Sequence, residues 1–127
     1  MDNQEKIPAF GGFEPPESNY FKMPNIWTNL SAKMSEAEMK VVEYVLRHTW
    51  GFKEFGVSKR ITLDEFRFGR KRKDGTRIDD GTGLCEKSVC SGISLAVTNG
   101  YLKVDTETTD RGRIVKKYRL RTPEDSQ

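Results

Sequence analysis

The chain of 127 residues offers few side chains that make or break bonds: one histidine, His48, and two cysteines, Cys85 and Cys90. On a helix, residues five apart diverge by roughly 140°, so the two thiols cannot share a ligand. A zinc site needs more Cys or His than the chain contains. The cysteines therefore read as two small reduced thiols, and His48, near the end of a helix-like stretch, as a capping or packing residue. Asp74, Asp79 and Asp80 lie among five cations without the alternation of a calcium loop, which predicts internal ion pairing. No catalytic residue, metal site, cofactor or enzymatic activity is expected.

Charge is the more informative chemistry. The chain has 22 basic and 19 acidic side chains, a formal net charge of +3. Residues 1–58 carry six basic and eight acidic groups, residues 59–121 sixteen basic and nine acidic, and the last six residues two acidic. An acidic N-terminal half thus masks a local excess of +7, the electrostatic footprint expected for a polyanion partner. Hydrophobic residues make up 35% of the chain and mean hydropathy is −0.73, lean for a globular protein, but 13 aromatics argue against wholesale disorder. There is no apolar run near the ~18 residues of a membrane span, nor a secretory leader at the N-terminus, so the expected location is cytoplasmic with no membrane partner.

The elements that must position this charge follow from periodicity. Residues 1–22, with glycines, prolines, Phe10, Phe13, Tyr20 and Phe21, read as an extended aromatic arm whose rings dock on the domain. Residues 23–121 form the domain proper, and 122–127 a disordered tail. A short helix or turn after Pro24 packs Ile26, Trp27 and Leu30 inward. Ser35, with Glu38 three residues on, caps a helix whose apolar stripe is Val41, Val42, Val45 and Leu46, ending at Gly51. Trp27, Trp50 and Phe52 are assigned to the core.

Ile61 lies in a short extended piece, and Thr62 with Glu65 makes a capping box for a second helix over 63–68, with Leu63 and Phe66 inward. The stretch RKRKDGTRIDDGTG at 70–83 is a mobile loop or a small hairpin around Asp74-Gly75. A further helix carries Val89, Ile93, Ala96 and Val97 on its core side and stops at Asn99-Gly100. Two alternating runs, 101–107 and 113–120, then form a β-hairpin, with Ile114, Tyr118 and Leu120 on one face.

Helix, short strand, short helix, helix and hairpin is the element order of an α+β winged helix-turn-helix, a three-helix core plus a C-terminal β-hairpin wing. In such a module one helix enters the major groove of duplex DNA and the wing reaches the adjacent backbone. The helix face opposite the apolar stripe carries Glu86, Lys87, Cys90, Ser91 and Ser94, the expected base-reading positions. Backbone contacts are expected from Arg70, Lys71, Arg72, Lys73 and Arg77 in the loop and from Lys103, Arg111, Arg113 and Lys116 on the wing.

Three stretches resemble the N-terminal domain of phage replication protein O and related replisome-organiser proteins. They are NYFKMPN at 19–25, the LS-x-x-E-x-K pattern split across Leu30 to Lys40, and VLRHTWGF at 45–52. GTGLCEKSVCSGISLAVTNGYL at 81–102 is similar to that family's recognition-helix segment. The resemblance spans about residues 10–121. It implies a winged-helix fold that binds double-stranded DNA at a phage- or plasmid-type replication origin, with helicase-loading proteins recruited through a separate C-terminal region.

The chain stops shortly after the hairpin, so that recruiting region is expected to lie outside it. The segment 70–83 stands where a helix-turn-helix ordinarily has a turn of 3–4 residues, and Cys85 replaces a serine N-cap. A winged-helix transcriptional regulator is the alternative within DNA binding. A protein-interaction module using the aromatic arm is the alternative outside it. No coiled-coil or dimer stripe indicates an oligomeric state.

Overall fold

A computed structural model describes residues 10–13, 15, 17 and 20–126, within which the chain forms four α-helices and a three-stranded antiparallel sheet. The helices are α1 (Ile26–Ser31), α2 (Glu36–Thr49), α3 (Leu63–Phe68) and α4 (Glu86–Thr98). The strands are β1 (Lys59–Arg60), β2 (Leu102–Thr108) and β3 (Ile114–Leu120), in the order β1-β3-β2. Register pairs Val104 with Tyr118 across the hairpin, and Lys59 with Tyr118 on the other edge of β3.

Local sequence accounts for the helix starts. The Ser35 hydroxyl accepts from the Glu38 amide at 3.2 Å and opens α2. The Glu38 carboxylate does not close the capping box. It is buried and accepts a 2.9 Å hydrogen bond from the Asn99 side-chain amide, tying the start of α2 to the end of α4. At α3 the box is complete: Thr62 Oγ1 accepts from the Glu65 amide and Glu65 accepts from the Thr62 amide. Cys85 makes no side-chain cap for α4, as its chemistry predicts.

The core forms where α2, α3 and α4 meet the sheet, around Val41, Val45, Phe66, Val89, Ala96 and Leu102. The Phe66 ring packs between Tyr44, at 5.5 Å, and edge-on against Tyr118, at 5.2 Å. Gly92 sets the approach of α4 to α2: a Cβ there would lie 2.7 Å from the Ala37 carbonyl oxygen.

Several expected inward residues are outside this core. Trp27 is buried, but Ile26 faces solvent, since a six-residue helix has one inward face. Phe52, expected in the core, is 53% exposed and Trp50 is half-buried, because α2 ends in a 3₁₀ turn at Trp50–Phe52 that carries both off the stripe. Leu63 is partly exposed at the start of α3. On β3 it is Val115 and Tyr118 that are buried, while Ile114, next to the hairpin turn, lies beyond the core.

The arm rings Phe10, Phe13 and Tyr20 are exposed rather than docked, Phe10 and Phe13 meeting each other edge-on. Phe21 approaches the domain, against Gly51, and Tyr20 borders the same surface depression beside Arg47 and Phe52. Residues 1–9, 14, 16, 18 and 19 of the arm lie outside the described ones. Within the C-terminal tail, Pro123–Ser126 form a 3₁₀ turn. Asp125 holds it there by accepting two hydrogen bonds from Arg119, at 2.8 and 2.9 Å.

Segment 70–83 is a small hairpin. Lys71 pairs with Arg77, the Arg72 amide donates to Thr76 O at 2.7 Å, and the Ile78 amide donates to Arg70 O at 2.7 Å. Asp74 does not pair with a cation; it accepts from the Thr76 amide and hydroxyl and so closes the turn. The chain then returns to the point it left: the Thr82 amide and hydroxyl both donate to Phe66 O at 2.7 Å. These bonds satisfy a carbonyl at the end of α3. Gly69, with φ of +104°, admits the return, since a Cβ there would overlap the Asp79 carbonyl. The insertion is thus looped out between two helices that remain adjacent.

Candidate nucleic-acid interface

At 100° per residue, the buried positions of α4, Val89, Gly92 and Ala96, centre on the side facing α2. Ile93 is half-buried and Val97 is 40% exposed, so Val97 is not the core residue its spacing suggests. The close approach at Gly92 draws the contact toward that residue and turns Val97 to the flank. Lys87, Cys90, Ser91 and Ser94 are exposed on the far side of the helix, and Glu86 is exposed on its flank. Cys85, exposed at the start of α4, has its sulfur 3.4 Å from Ser88 Oγ, and hydrogen bonds from the Ser88 hydroxyl and amide to the thiolate hold its pKa below the ordinary value.

An open concavity of about 600 Å³ lies between α4, the start of α3 and β3. Cys90, Ser94 and Val97 form its α4 wall, and Ile114 and Lys116 its β3 wall, with Arg60 at the edge strand. The fold therefore brings Cys90 and Ser94 together with Lys116. Arg60, Val97 and Ile114 join them without having been assigned there by sequence reasoning. For Arg60 a signal was present, a cation two residues before the N-cap of α3; for Val97 and Ile114, helical and strand spacing pointed the other way. Among the described residues no aspartate or glutamate lines the concavity.

The cations divide into two groups. Lys71, Lys73, Lys87, Lys103, Arg111, Arg113 and Lys116 are exposed and have no ion pair among the described residues. The other three loop cations hold the protein together. Arg70 lies 3.7 Å from Glu65, and Arg72 donates to Thr76 Oγ1 and Arg77 O. Arg77 bonds Asp64 at 3.2 Å and Gly69 O, and covers the Phe68 ring.

Asp79 pairs with neither lysine nor arginine. Its carboxylate lies 3.1 Å from His48 Nε2, and the two side chains are 1% and 2% exposed. Burial holds the His48 imidazole below its usual pKa, against the opposing pull of the Asp79 charge. Burial also pushes the neighbouring Tyr44 hydroxyl well above its usual value. This cluster is closed to solvent and lies where α2, α3 and the returning loop meet. Among the described residues no group of three or more His, Cys, Asp or Glu could hold a metal ion. Among the described residues no helix is long and apolar enough to cross a membrane.

The chain matches no protein-family model, no curated protein and no solved structure.

Proposed function

We propose that the protein is a winged helix-turn-helix module that binds double-stranded DNA, with α4 as the recognition helix and the β2–β3 hairpin as the wing. The observation that carries this reading is the acid-free concavity between the exposed side of α4 and β3, bordered by Arg60 and Lys116. Unpaired cations at Lys87 on the helix, and at Lys103, Arg111 and Arg113 on the hairpin, extend the same sign of charge outward. An α-helix fits the major groove, and short side chains such as Ser91 and Ser94 permit close approach to base edges. Cations on the hairpin suit phosphates, which set affinity and register.

The sequence likeness to replisome-organiser proteins favours a role at a replication origin, of phage or plasmid type, over transcriptional control. A second reading, docking of a protein partner, rests on the exposed Phe10, Phe13 and Tyr20 of the arm.

Fluorescence anisotropy with duplex DNA over a salt series tests the proposal. The logarithm of the binding constant should fall linearly with the logarithm of salt concentration, with a slope set by on the order of four to eight phosphates. A flat slope, or no binding at low salt, excludes duplex DNA as the ligand.

A further inference from the structure

The duplex-DNA reading leaves open which bases α4 distinguishes, and the composition of its exposed face narrows the choice. Bidentate recognition of guanine is made by arginine or lysine, and of adenine by asparagine or glutamine. The α4 sequence EKSVCSGISLAVT contains no arginine, asparagine or glutamine, and Lys87 is its one cation. What the helix turns toward the wing is instead uncharged, with apolar Ile93 and Val97 beside Cys90, Ser94 and Thr98.

Opposite them, Leu63 and Ile114 stand 37% and 67% exposed, so three aliphatic side chains of this concavity face solvent rather than the core. The bordering cations, Arg60 and Lys116, match the charge of a phosphate backbone. The one major-groove feature that an apolar surface recognises is the C5-methyl group of thymine.

We infer that Val97, Ile114 and Leu63 form a thymine-methyl pocket, giving the protein a preference for A·T-containing duplex through contacts in the concavity between α4 and β3. The inference rests on the duplex-DNA reading and adds a base preference to it. Hydroxyls of Ser91 and Ser94 serve either base edge and supply little discrimination by themselves. Cations at the rim hold the backbone without regard to sequence.

The test compares short alternating A·T duplexes with otherwise identical A·U duplexes, which lack only the methyl, by fluorescence anisotropy at one fixed salt concentration. Wild-type protein should bind the thymine duplex more tightly, by about fourfold for each methyl buried, the fold-change that ~0.8 kcal/mol of apolar burial represents. Val97→Ala and Ile114→Ala, both at exposed positions, should bring the ratio toward unity by weakening only the thymine complex. Circular dichroism would verify that each variant retains the fold.

Equal wild-type affinity for the two duplexes overturns the methyl pocket while leaving salt-sensitive DNA binding intact. A wild-type ratio that neither variant reduces assigns the preference to other residues and overturns it as well. Sedimentation supplies a third arm. If the variants convert a wild-type dimer to monomer and leave the thymine-to-uracil ratio unchanged, the concavity is a self-association surface and the inference fails. Absence of binding to either duplex at low salt removes both this inference and the DNA reading.

Discussion

The Nε2 of His48 lies 3.1 Å from Oδ2 of Asp79, and the bond joins residues 31 positions apart in the chain. Asp79 also accepts from the Gly81 amide through its other oxygen, at 2.8 Å. One carboxylate thus fastens the end of the 70–78 hairpin to the last turn of α2 and shapes the return to α3. Its position makes the insertion part of the fold rather than a loose appendage.

Replacing Asp79 by alanine leaves a buried imidazole without its partner and frees the Gly81 amide. A hydrogen bond to a buried charged group contributes about 1.5–3 kcal/mol, so Asp79→Ala should lower unfolding free energy by about 2–3 kcal/mol. Urea denaturation would measure it. A change within the noise of a surface mutation would mean that the Thr82 bonds to Phe66 O hold the loop alone.

Stability should also depend on pH through His48. Its folded pKa lies below the ordinary 6.5, first because of burial and then because of Arg70 and Arg47, with the Asp79 charge opposing. The unfolded chain therefore takes up a proton near pH 6.5 that the folded chain resists. The contribution is fully present above that value and is lost as pH falls through the folded pKa. Thermal melts from about pH 8 to about pH 5 should show Tm declining in the acid range. In His48→Gln the decline should be shallower. Parallel curves for the two proteins would exclude His48 as its source.

Gly92→Ala tests how α4 is seated. In an exposed helix this change stabilises by about 1 kcal/mol. Here the added methyl would lie 2.7 Å from the Ala37 carbonyl oxygen, on backbone that has no flexible end to yield. Overpacking of this kind costs about 1–3 kcal/mol, which offsets or exceeds the propensity gain, so a net loss of up to about 2 kcal/mol is expected. A raised denaturation midpoint would show that α2 and α4 can separate freely.

The two classes of cation should separate experimentally. Arg77→Ala should reduce stability by about 1 kcal/mol, since it removes bonds to Asp64 and Gly69. Lys71→Ala with Lys73→Ala should leave stability unchanged, and any effect on DNA affinity would then report direct contact. On the wing, Arg111→Ala and Arg113→Ala should weaken binding to all sequences alike and reduce the salt slope by about 0.9 each. Lys87→Ala should in addition relax sequence preference. Identical behaviour of Lys87→Ala and the wing variants would remove Lys87 from the groove.

Residues that act on their immediate neighbours were legible in the sequence. Ser35 and Thr62 open helices within a turn of themselves, Asp74-Gly75 closes a hairpin of its own, and the β2–β3 alternation brings its own partner strand. The exposed face of α4, from Glu86 to Ser94, was legible for the same reason: apolar residues recurring at helical spacing define a buried side and therefore its opposite. The excess of basic charge after residue 58 was equally readable, since it is a sum over the chain.

What packing decides was not. Val97 has the spacing of a core residue, but Gly92 lets α4 settle against Ala37 on a different line, and Val97 turns to the flank. Arg70, Arg72 and Arg77 look like Lys71 and Lys73 in the sequence, and differ because Glu65, Thr76 and Asp64 happen to stand within reach. Asp79 and His48 carry no sign of each other. The chain by itself determined the elements, their order and the distribution of charge, because these depend on short-range preferences. Tertiary structure decided which cations remain available, which aliphatic groups line the concavity and what anchors the insertion, because each depends on how side chains from different elements and loop strands are placed in space, over separations from 4 residues for Arg72 and Thr76 to 31 for His48 and Asp79.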